Sequence, residues 1–495
     1  MIPIVRPDLD NGTAAEKPAI CHTPDIPITP AGKKIVLLIA ILAAFVTQFD
    51  ITAVTIAMPT IGTEFHMDAV ALSWITTGYL LAAAGLLVSI GKVADIYGRK
   101  RVYLYGIAIF TLASLLMIVA PSTDLLIAVR IFQGFGAAMI FGTGISIISS
   151  VFPPGERGKI LGIYVSCAYI ALTVGPFLGG VLTQHIGWRS IFFVNIPLGL
   201  AACLLIILKL KGEWAECEGE RLDLLGSAIY ICALVLVMLG FSLVPHPGSL
   251  LLIAAGCAAG FAFALYEMRI PFPVLDMRLL TQNRVFAFSS LAALITFIAT
   301  FAVTFLLSLD LQYTKGYSPV YAGLILIAQP LAIVVVTFIS GRLSDQIDPQ
   351  ILASSGIALM AVGLFALVFL TGSSPLWYIL TCLVVLGVGY GLFSPPNLNA
   401  IMGSVDRRYY GMANGINGTV RLLGQVLSMG ITMMIFAVVI GRVQITPDFY
   451  PQFVTSLHYA FALFTVLCVI GIWASLKRGK RQTAPVPYGN QAPEE

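Results

Sequence analysis

Two residues of opposite charge stand inside long apolar runs of this 495-residue chain, Asp50 in the run 35–58 and Arg130 in the run 124–145. A charged side chain in hydrocarbon is costly and usually faces a cavity or a partner of opposite charge. Protonation removes that cost for a carboxylate, so Asp50 is a candidate proton carrier. At 1.5 Å per residue, both lie roughly 10–12 Å from the outer ends of their runs, which allows a direct or water-bridged pair. A static ion pair that only fixes helix packing is the alternative.

Two further charged residues lie in or beside apolar runs. Arg421 stands near the middle of the run 411–440 without an evident acidic partner. Substrate binding and bonding to carbonyl groups of neighbouring helices are equally compatible with that position. Asp310 follows the run 285–309, and a solvent-exposed place at the rim of the membrane is expected for it.

The elements that must position these residues are membrane-spanning helices. The chain is 58% hydrophobic and only 11% charged, whereas soluble proteins carry about 25% charged residues. A helix needs about 20 mostly apolar residues to cross a bilayer. Fourteen such runs are present, near 35–58, 71–90, 102–120, 124–145, 160–182, 190–208, 222–242, 249–266, 285–309, 319–340, 351–370, 376–400, 411–440 and 455–475. The sequence therefore predicts an all-α integral membrane protein.

The basic residues between the runs orient the chain, because cytoplasmic loops carry an excess of Lys and Arg. With the N-terminus inside, only Arg189, Lys315 and Arg442 fall between spans on the outer side. This predicts a plasma-membrane protein with both termini in the cytoplasm. The polar end segments 1–34 and 476–495 are expected to be disordered tails.

An internal repeat divides the chain. The loop after span 2 reads GKVADIYGRKR and the loop after span 10 reads GRLSDQIDPQ, so that Gly91 and Asp95 match Gly341 and Asp345 at an offset of 250 residues. Two related six-span units are a known transporter layout. The predicted organisation is a six-helix bundle at 35–208, a two-span insert with its linking loops at 209–284, and a second six-helix bundle at 285–475.

Several motifs resemble the major facilitator superfamily, specifically its fourteen-span drug:proton antiporter branch. They are FDITAVTIAMPTI (49–61), SWITTGYLL (73–81), RIFQGFGAA (130–138), GPFLGG (175–180), WRSIFFVNIPLG (188–199) and LQYTKGYSPVYAG (311–323). The sequence departs from the pattern of the branch at Thr55, Ile96, Ala171 and Asp310, where Asn, Arg, Gly and an aromatic residue are usual.

The resemblance implies alternating access around a central cavity between the bundles, lined by spans 1, 4, 5 and their counterparts. Asp50 and Arg130 are then the proton-coupling candidates. Tyr79, Gln133 and Arg421 are candidates for the substrate cavity.

The resemblance also implies that the loop after span 2 latches the two halves on the cytoplasmic side. The residues assigned to this latch are Gly91, Asp95, Gly98, Arg99, Lys100 and Asp345. A carboxylate is favoured beside a helix N-terminus, and span 13 begins on that side. The alternative is that the charged residues of this loop only set the orientation of the spans in the membrane and do not latch the halves.

The antiporter motif comprises Gly175, Pro176, Gly179 and Gly180 in span 5. Small residues four apart let helix backbones approach closely, and proline adds a bend. The motif is expected to shape a packing surface, without a need to contact substrate.

Features that the sequence lacks argue against several other classes of function. It shows no phosphate-binding loop, no metal-ligand spacing and no loop long enough for a folded soluble domain. The leading hypothesis is therefore a proton-coupled exporter of small amphipathic or charged organic compounds. A metabolite or nutrient transporter of narrow specificity is the alternative, and a membrane enzyme or receptor is a third class. The expected partners are a small-molecule substrate, protons and the lipid bilayer, with no nucleic acid and no cofactor, and the protein is expected to act as a monomer.

Overall fold

The computed structural model describes residues 29–210, 212–214, 222–270, 273–275, 277–344, 346–406 and 410–479. Most of the predicted tails and the latch candidate Asp345 lie outside these ranges. The first eight helices of the described chain are α1 (Pro30–Glu64), α2 (Ala69–Tyr97), α3 (Arg99–Ile118), α4 (Thr123–Val151), α5 (Pro154–His185), α6 (Arg189–Lys209), α7 (Leu224–Leu243) and α8 (Gly248–Glu267).

The second half of the described chain is equally helical. Its helices are α9 (Met277–Gln282), α10 (Arg284–Leu309), α11 (Pro319–Leu326), α12 (Ala328–Leu343), α13 (Pro349–Leu367), α14 (Leu376–Gly403), α15 (Tyr410–Val439) and α16 (Tyr450–Lys477). A π-helical turn, Asp310–Thr314, prolongs α10, and α11 with α12 forms one span.

Fourteen of these segments are long and apolar enough to cross a membrane, which confirms the predicted span count. The helix α1 begins at Pro30, within the segment 1–34 that was predicted to be a tail. The Thr29 side chain caps this helix by accepting from the backbone N–H of Gly32, and Pro30 has the fixed φ that suits a first helical position.

The helices associate in two groups with the two-span insert beside them. Helices α1 to α6 pack on one another, as do α10 to α16, while α7 and α8 pair together. The α7 helix also contacts α2 and α15. The main contacts between the two groups are α5 with α11 and α2 with α15.

Hydrogen bonds join the two groups at one face of the molecule. An even number of spans puts the start of α1 and the end of α16 on one face, here named the terminal face; the other is the far face. At the far face, Ser308 Oγ donates to the carbonyl of Thr55 (3.0 Å) and Gln312 Nε2 donates to that of Ile56 (3.0 Å). Tyr313 Oη donates to the carbonyl of Pro59 (3.3 Å). These three hydrogen bonds between α1 and the end of α10 are named the far seal.

The terminal halves of several helices have few described neighbours. A methyl group added at Gly158 or Gly162 of α5, Gly341 of α12 or Gly415 of α15 would have no described atom within 4 Å. Near the terminal face, Gly418 of α15 does lie close to Leu87 of α2.

The antiporter motif lies at a close contact between the two groups, that of α5 with α11. A Cβ added to Gly180 of α5 would lie 2.4 Å from the carbonyl oxygen of Pro319, and one added to Gly323 of α11 would lie 2.3 Å from that of Pro176. The backbones thus touch reciprocally, and any side chain at either glycine would separate them. On the other side of α5, Gly175 faces Thr52 and Gly179 faces Ala53.

Candidate functional site

The predicted pair between Asp50 and Arg130 is direct. Arg130 Nη1 lies 2.6 Å from Asp50 Oδ2, and both side chains are fully buried. The second carboxylate oxygen of Asp50 accepts from Asn195 Nδ2 (2.9 Å) and Gln133 Nε2 (3.2 Å). Both oxygens of this carboxylate are therefore hydrogen-bonded inside the first bundle, as a buried charge requires.

The guanidinium of Arg130 is held on several sides. Its Nε donates to the carbonyl of Ile75 (3.1 Å), and its Nη1 also donates to Gln133 Oε1. The Tyr79 ring lies 4.7 Å from the guanidinium carbon, a cation–π contact. Gln133 completes the set by donating to Ser114 Oγ (3.1 Å). Residues from α1, α2, α3, α4 and α6 thus converge on one network, named here the Asp50 network.

A cavity of about 320 Å³ lies between the two bundles. Its wall comes from α1, α2, α4 and α5 on one side and α10, α11, α12, α14 and α15 on the other. Small polar side chains form part of this wall: Thr47, Gln48, Thr52, Thr55, Thr76, Thr300, Thr304, Gln329 and Gln425. Aromatic rings form much of the rest: Phe141, Tyr164, Tyr169, Phe297, Phe301, Phe305 and Tyr390.

Arg421 is the only charged side chain on this wall among the described residues. Its guanidinium carbon lies 5.8 Å from the centre of the Phe141 ring. Its Nε is buried and has no hydrogen-bond partner in the described part of the chain.

Tyr79 and Gln133, which were predicted for the substrate cavity, are not among the described residues that line it. Both are fully buried and belong to the Asp50 network. The reason is that Arg130, once placed inside the first bundle, requires hydrogen-bond and ring partners there. Of the three cavity candidates, only Arg421 lies on the wall.

The Asp50 network nevertheless lies directly behind the cavity wall. Ile51 and Thr52, the residues that follow Asp50, line the cavity. Thr76, which follows Ile75, lines it as well. The Asp50 network and this part of the cavity wall thus share the helices α1 and α2.

Asp310 is not at a solvated rim, contrary to the sequence-based expectation. It is fully buried in the π-helical turn that follows α10. Its Oδ1 accepts from the hydroxyl of Thr314, and its Oδ2 has no hydrogen-bond partner in the described structure. The helix continues to Thr314 and not to 309 as predicted, which draws Asp310 below the surface.

The described contacts of the latch loop lie within the first half of the chain. Arg99 Nε donates to Asp95 (2.9 Å) and its Nη1 donates to Ser150 Oγ of α4 (2.6 Å). Lys100 Nζ donates to the carbonyl of Leu210 (2.7 Å). These contacts connect the loop to α4 and to the end of α6.

Two glycines of this loop have different surroundings. Gly98 has a φ of +109° and packs against Glu213, which explains the need for glycine there. Gly91 has free space where a side chain would be, with no described atom within 4 Å of an added Cβ. The latch between the halves stays a prediction.

Sequence analysis missed Asn195 and Ser114 as members of the Asp50 network. An asparagine in the apolar run 190–208 was a usable signal, because a buried amide needs partners. Ser114 gave no such signal, since serine bonds to its own helix backbone, as here to the carbonyl of Phe110.

A family model for the Major Facilitator Superfamily matches residues 40–429 and 289–493 of the chain. The chain belongs to this superfamily. The riboflavin transporter RibZ of Clostridioides difficile is 30% identical over 443 residues, covering 89% of this chain and 96% of that protein. The multidrug resistance protein Stp of Mycobacterium tuberculosis (strain CDC 1551) is 30% identical over 405 residues, covering 80% of this chain and 74% of that protein.

Solved structures of this superfamily share the fold. The inward-facing, unoccupied structure of a bacterial homologue of the human lysosomal transporter Spinster superposes with a TM-score of 0.69 at 18% identity, covering 92% of this chain and all of that one. The predicted major facilitator fold and the resemblance to the fourteen-span drug:proton antiporter branch are confirmed.

Proposed function

We propose that this transporter exports small amphipathic or charged organic compounds in exchange for protons, by alternating access. The proposal includes a plasma-membrane location with both chain ends in the cytoplasm, so that the terminal face is cytoplasmic. It also includes function as a monomer, because the cavity and the Asp50 network are each built from one chain.

The observation that carries the proposal is the fully buried Asp50–Arg130 pair directly behind the wall of the cavity. Protonation of Asp50 would leave the Arg130 charge buried without its counterion, which costs several kcal/mol, about 3–5 when one partner is removed. The network must then rearrange or admit water. Because α1 and α2 carry both the network and the cavity wall, proton binding is mechanically linked to the shape of the substrate site.

The direction of transport is supported by relatives. The chain is 30% identical to a multidrug resistance protein, and its α5 carries the antiporter motif at the α5–α11 contact. In the proposed cycle, Asp50 takes up a proton from outside as substrate leaves and releases it inward to reset the carrier.

The second candidate function is transport of a single metabolite. It is favoured by one observation, the 30% identity to a riboflavin transporter over 89% of this chain. A cavity of about 320 Å³ is at the small end of ligand pockets and suits either kind of compound.

Inverted membrane vesicles with an imposed proton gradient separate the two candidates. Drugs and metabolites are added one at a time while a pH-sensitive dye reports the gradient, with wild type and Asp50→Asn at matched expression. Collapse of the gradient by several unrelated drugs in wild type but not in the variant supports drug:proton antiport. A response to one metabolite alone supports the second candidate, and an equal response of the variant contradicts the role of Asp50.

A further inference from the structure

The charge of the cavity is set by Arg421. The positive charge of Arg130 is neutralised by Asp50 at 2.6 Å. Among the described residues, Arg421 makes no ion pair and no aspartate or glutamate lines the cavity. The cavity therefore presents one uncompensated positive charge to whatever enters it.

An unpaired cation in a partly closed cavity attracts anions and repels cations, since low-dielectric walls concentrate its field. The guanidinium also offers several N–H donors in a planar arrangement that matches a carboxylate or phosphate. One of them, Nε, is buried and lacks a partner. A ligand oxygen would satisfy this donor, whereas a ligand ammonium would leave it unsatisfied and add repulsion.

The surroundings of Arg421 define the rest of the ligand. Phe141 packs near the guanidinium, and Tyr164, Tyr169 and Tyr390 line the same cavity. Rings of this kind bury an apolar or aromatic body while their hydroxyl groups bond to polar substituents.

We propose that the substrates are small organic anions, with an acidic group held by Arg421 and an aromatic or apolar body against these rings. This inference rests on the proposed function, because it concerns the substrate class of the same cavity.

Binding to the purified protein without a proton gradient tests the inference. The probes are size-matched sets, each comprising an aromatic carboxylate, its neutral amide and the corresponding amine. Wild type, Arg421→Lys and Arg421→Gln are compared. The matched control is Arg269→Gln, an exposed arginine just after α8 that does not lie on the cavity wall.

We expect the carboxylates to bind wild type at least about tenfold tighter than their amides, which corresponds to 1.4 kcal/mol. Arg421→Gln should abolish this preference, Arg421→Lys should keep part of it, and Arg269→Gln should keep it. A preference for amines, an unchanged preference in Arg421→Gln, or no binding of any carboxylate would overturn the inference. Proton-coupled export of cations would overturn it too while leaving the proposed function intact.

A second inference concerns Asp310, which occupies the turn that also forms the far seal. Ser308 precedes it by two residues, and Gln312 and Tyr313 follow it by two and three residues in the same turn. All three donate to carbonyl groups of α1. Asp310 itself is fully buried, with Oδ2 unpartnered.

Among the described residues, Asp310 has no ionic partner. The ammonium group of Lys315, five residues further on, donates to the carbonyls of Thr371, Gly372 and Ser374. On α16, His458 bonds to the carbonyl of Leu370, and Tyr450 lies towards Tyr313. An ionised carboxylate with a bare buried oxygen is costly, so the closed seal favours protonated Asp310.

We infer that Asp310 is a second proton-binding site, one that links the far seal to the pH at the far face. Opening of the seal would hydrate the carboxyl group and permit its ionisation. Closing would require that a proton be taken up again. A low pH at the far face therefore favours the closed seal.

Spin labels at Gln184→Cys and Tyr321→Cys test this inference. Both residues are exposed and lie on α5 and α11, at opposite sides of the contact between the bundles. Distances are measured in vesicles by electron spin resonance across a pH series, in chains whose native cysteines are replaced and whose transport is retained.

In the labelled chain that keeps Asp310, here called the background, a longer distance between the two spin labels should appear as the pH rises. Asp310→Asn, which mimics the protonated group, should keep the short distance throughout, while Asp448→Asn, at the same face, should respond as the background does. The same pH response in Asp310→Asn, or no response in the background, would overturn the inference.

Discussion

The two bundles share a fold but treat their buried charges differently. In the first, Asp50 and Arg130 pair at 2.6 Å, and Gln133 and Asn195 complete the hydrogen bonds of the carboxylate. In the second, Arg421 Nε and Asp310 Oδ2 have no hydrogen-bond partner within the described part of the chain. One bundle holds a satisfied charge pair, and the other holds charges that are available to a ligand or a proton.

This difference is visible in the repeat itself. At the offset of 250 residues shown by the matching loops, Asp50 corresponds to Thr300 and Arg130 to Leu380. The second bundle therefore lacks the pair at these positions while it carries charges elsewhere. The two bundles share their helix packing, whereas their buried charged residues stand at different positions.

The largest effect on stability is expected for Arg130→Leu, which tests the charge pair of the first bundle. It leaves the Asp50 carboxylate buried without a counterion, and we expect a loss of about 3–5 kcal/mol in the free energy of unfolding. Thermal unfolding in detergent measures the effect. The control is Arg189→Leu, which breaks a pair of the same 2.6 Å separation with Glu64 at the surface; exposed pairs contribute only about 0–1 kcal/mol. Equal losses in the two variants would contradict the account.

A smaller effect is expected for Asn195→Leu. The substitution removes the amide that donates to Asp50 Oδ1 at 2.9 Å, and hydrogen bonds to charged groups contribute about 1.5–3 kcal/mol. The same unfolding assay measures the loss. A variant as stable as wild type would mean that Asn195 does not support the pair.

The contact between the bundles is tested by Gly323→Ala. The added methyl group would meet the carbonyl of Pro176 at 2.3 Å, so α5 and α11 must separate. We expect a loss of about 1–3 kcal/mol, as is usual for overpacking. Gly341→Ala is the control, because its methyl group meets no described atom within 4 Å. A loss at Gly341 as large as at Gly323 would contradict the close packing of α5 and α11.

The smallest effect is expected for Arg421→Gln. Because Arg421 has no ionic partner among the described residues, its replacement should lower the free energy of unfolding by no more than about 0.5 kcal/mol. A large loss in the same unfolding assay would show that Arg421 is a structural residue and not an available charge.

Much of the fold follows from the sequence. Length and hydropathy of the apolar runs gave the fourteen spans, since a bilayer permits few backbone arrangements. The depth of Asp50 and Arg130 along their helices was also predictable, because it requires only the rise per residue.

The direction in which each side chain points was harder to predict. Tyr79 and Gln133 were expected in the cavity but turn into the first bundle, because the partners of Arg130 depend on how five helices rotate. Asp310 was expected at the rim, and the π-helical turn that buries it has no distinct signal in the run 285–309. Pattern and composition locate a residue along its helix, whereas tertiary packing decides which way it points.

The central claim is that Asp50 couples proton binding to transport. The most direct test compares two assays of Asp50→Asn in vesicles, using a substrate found in the dye screen: exchange without any gradient, and accumulation driven by a proton gradient. The account predicts that the variant, which mimics protonated Asp50, retains exchange and loses driven accumulation. Retention of both in the variant, or loss of both in a protein that remains folded, would contradict it.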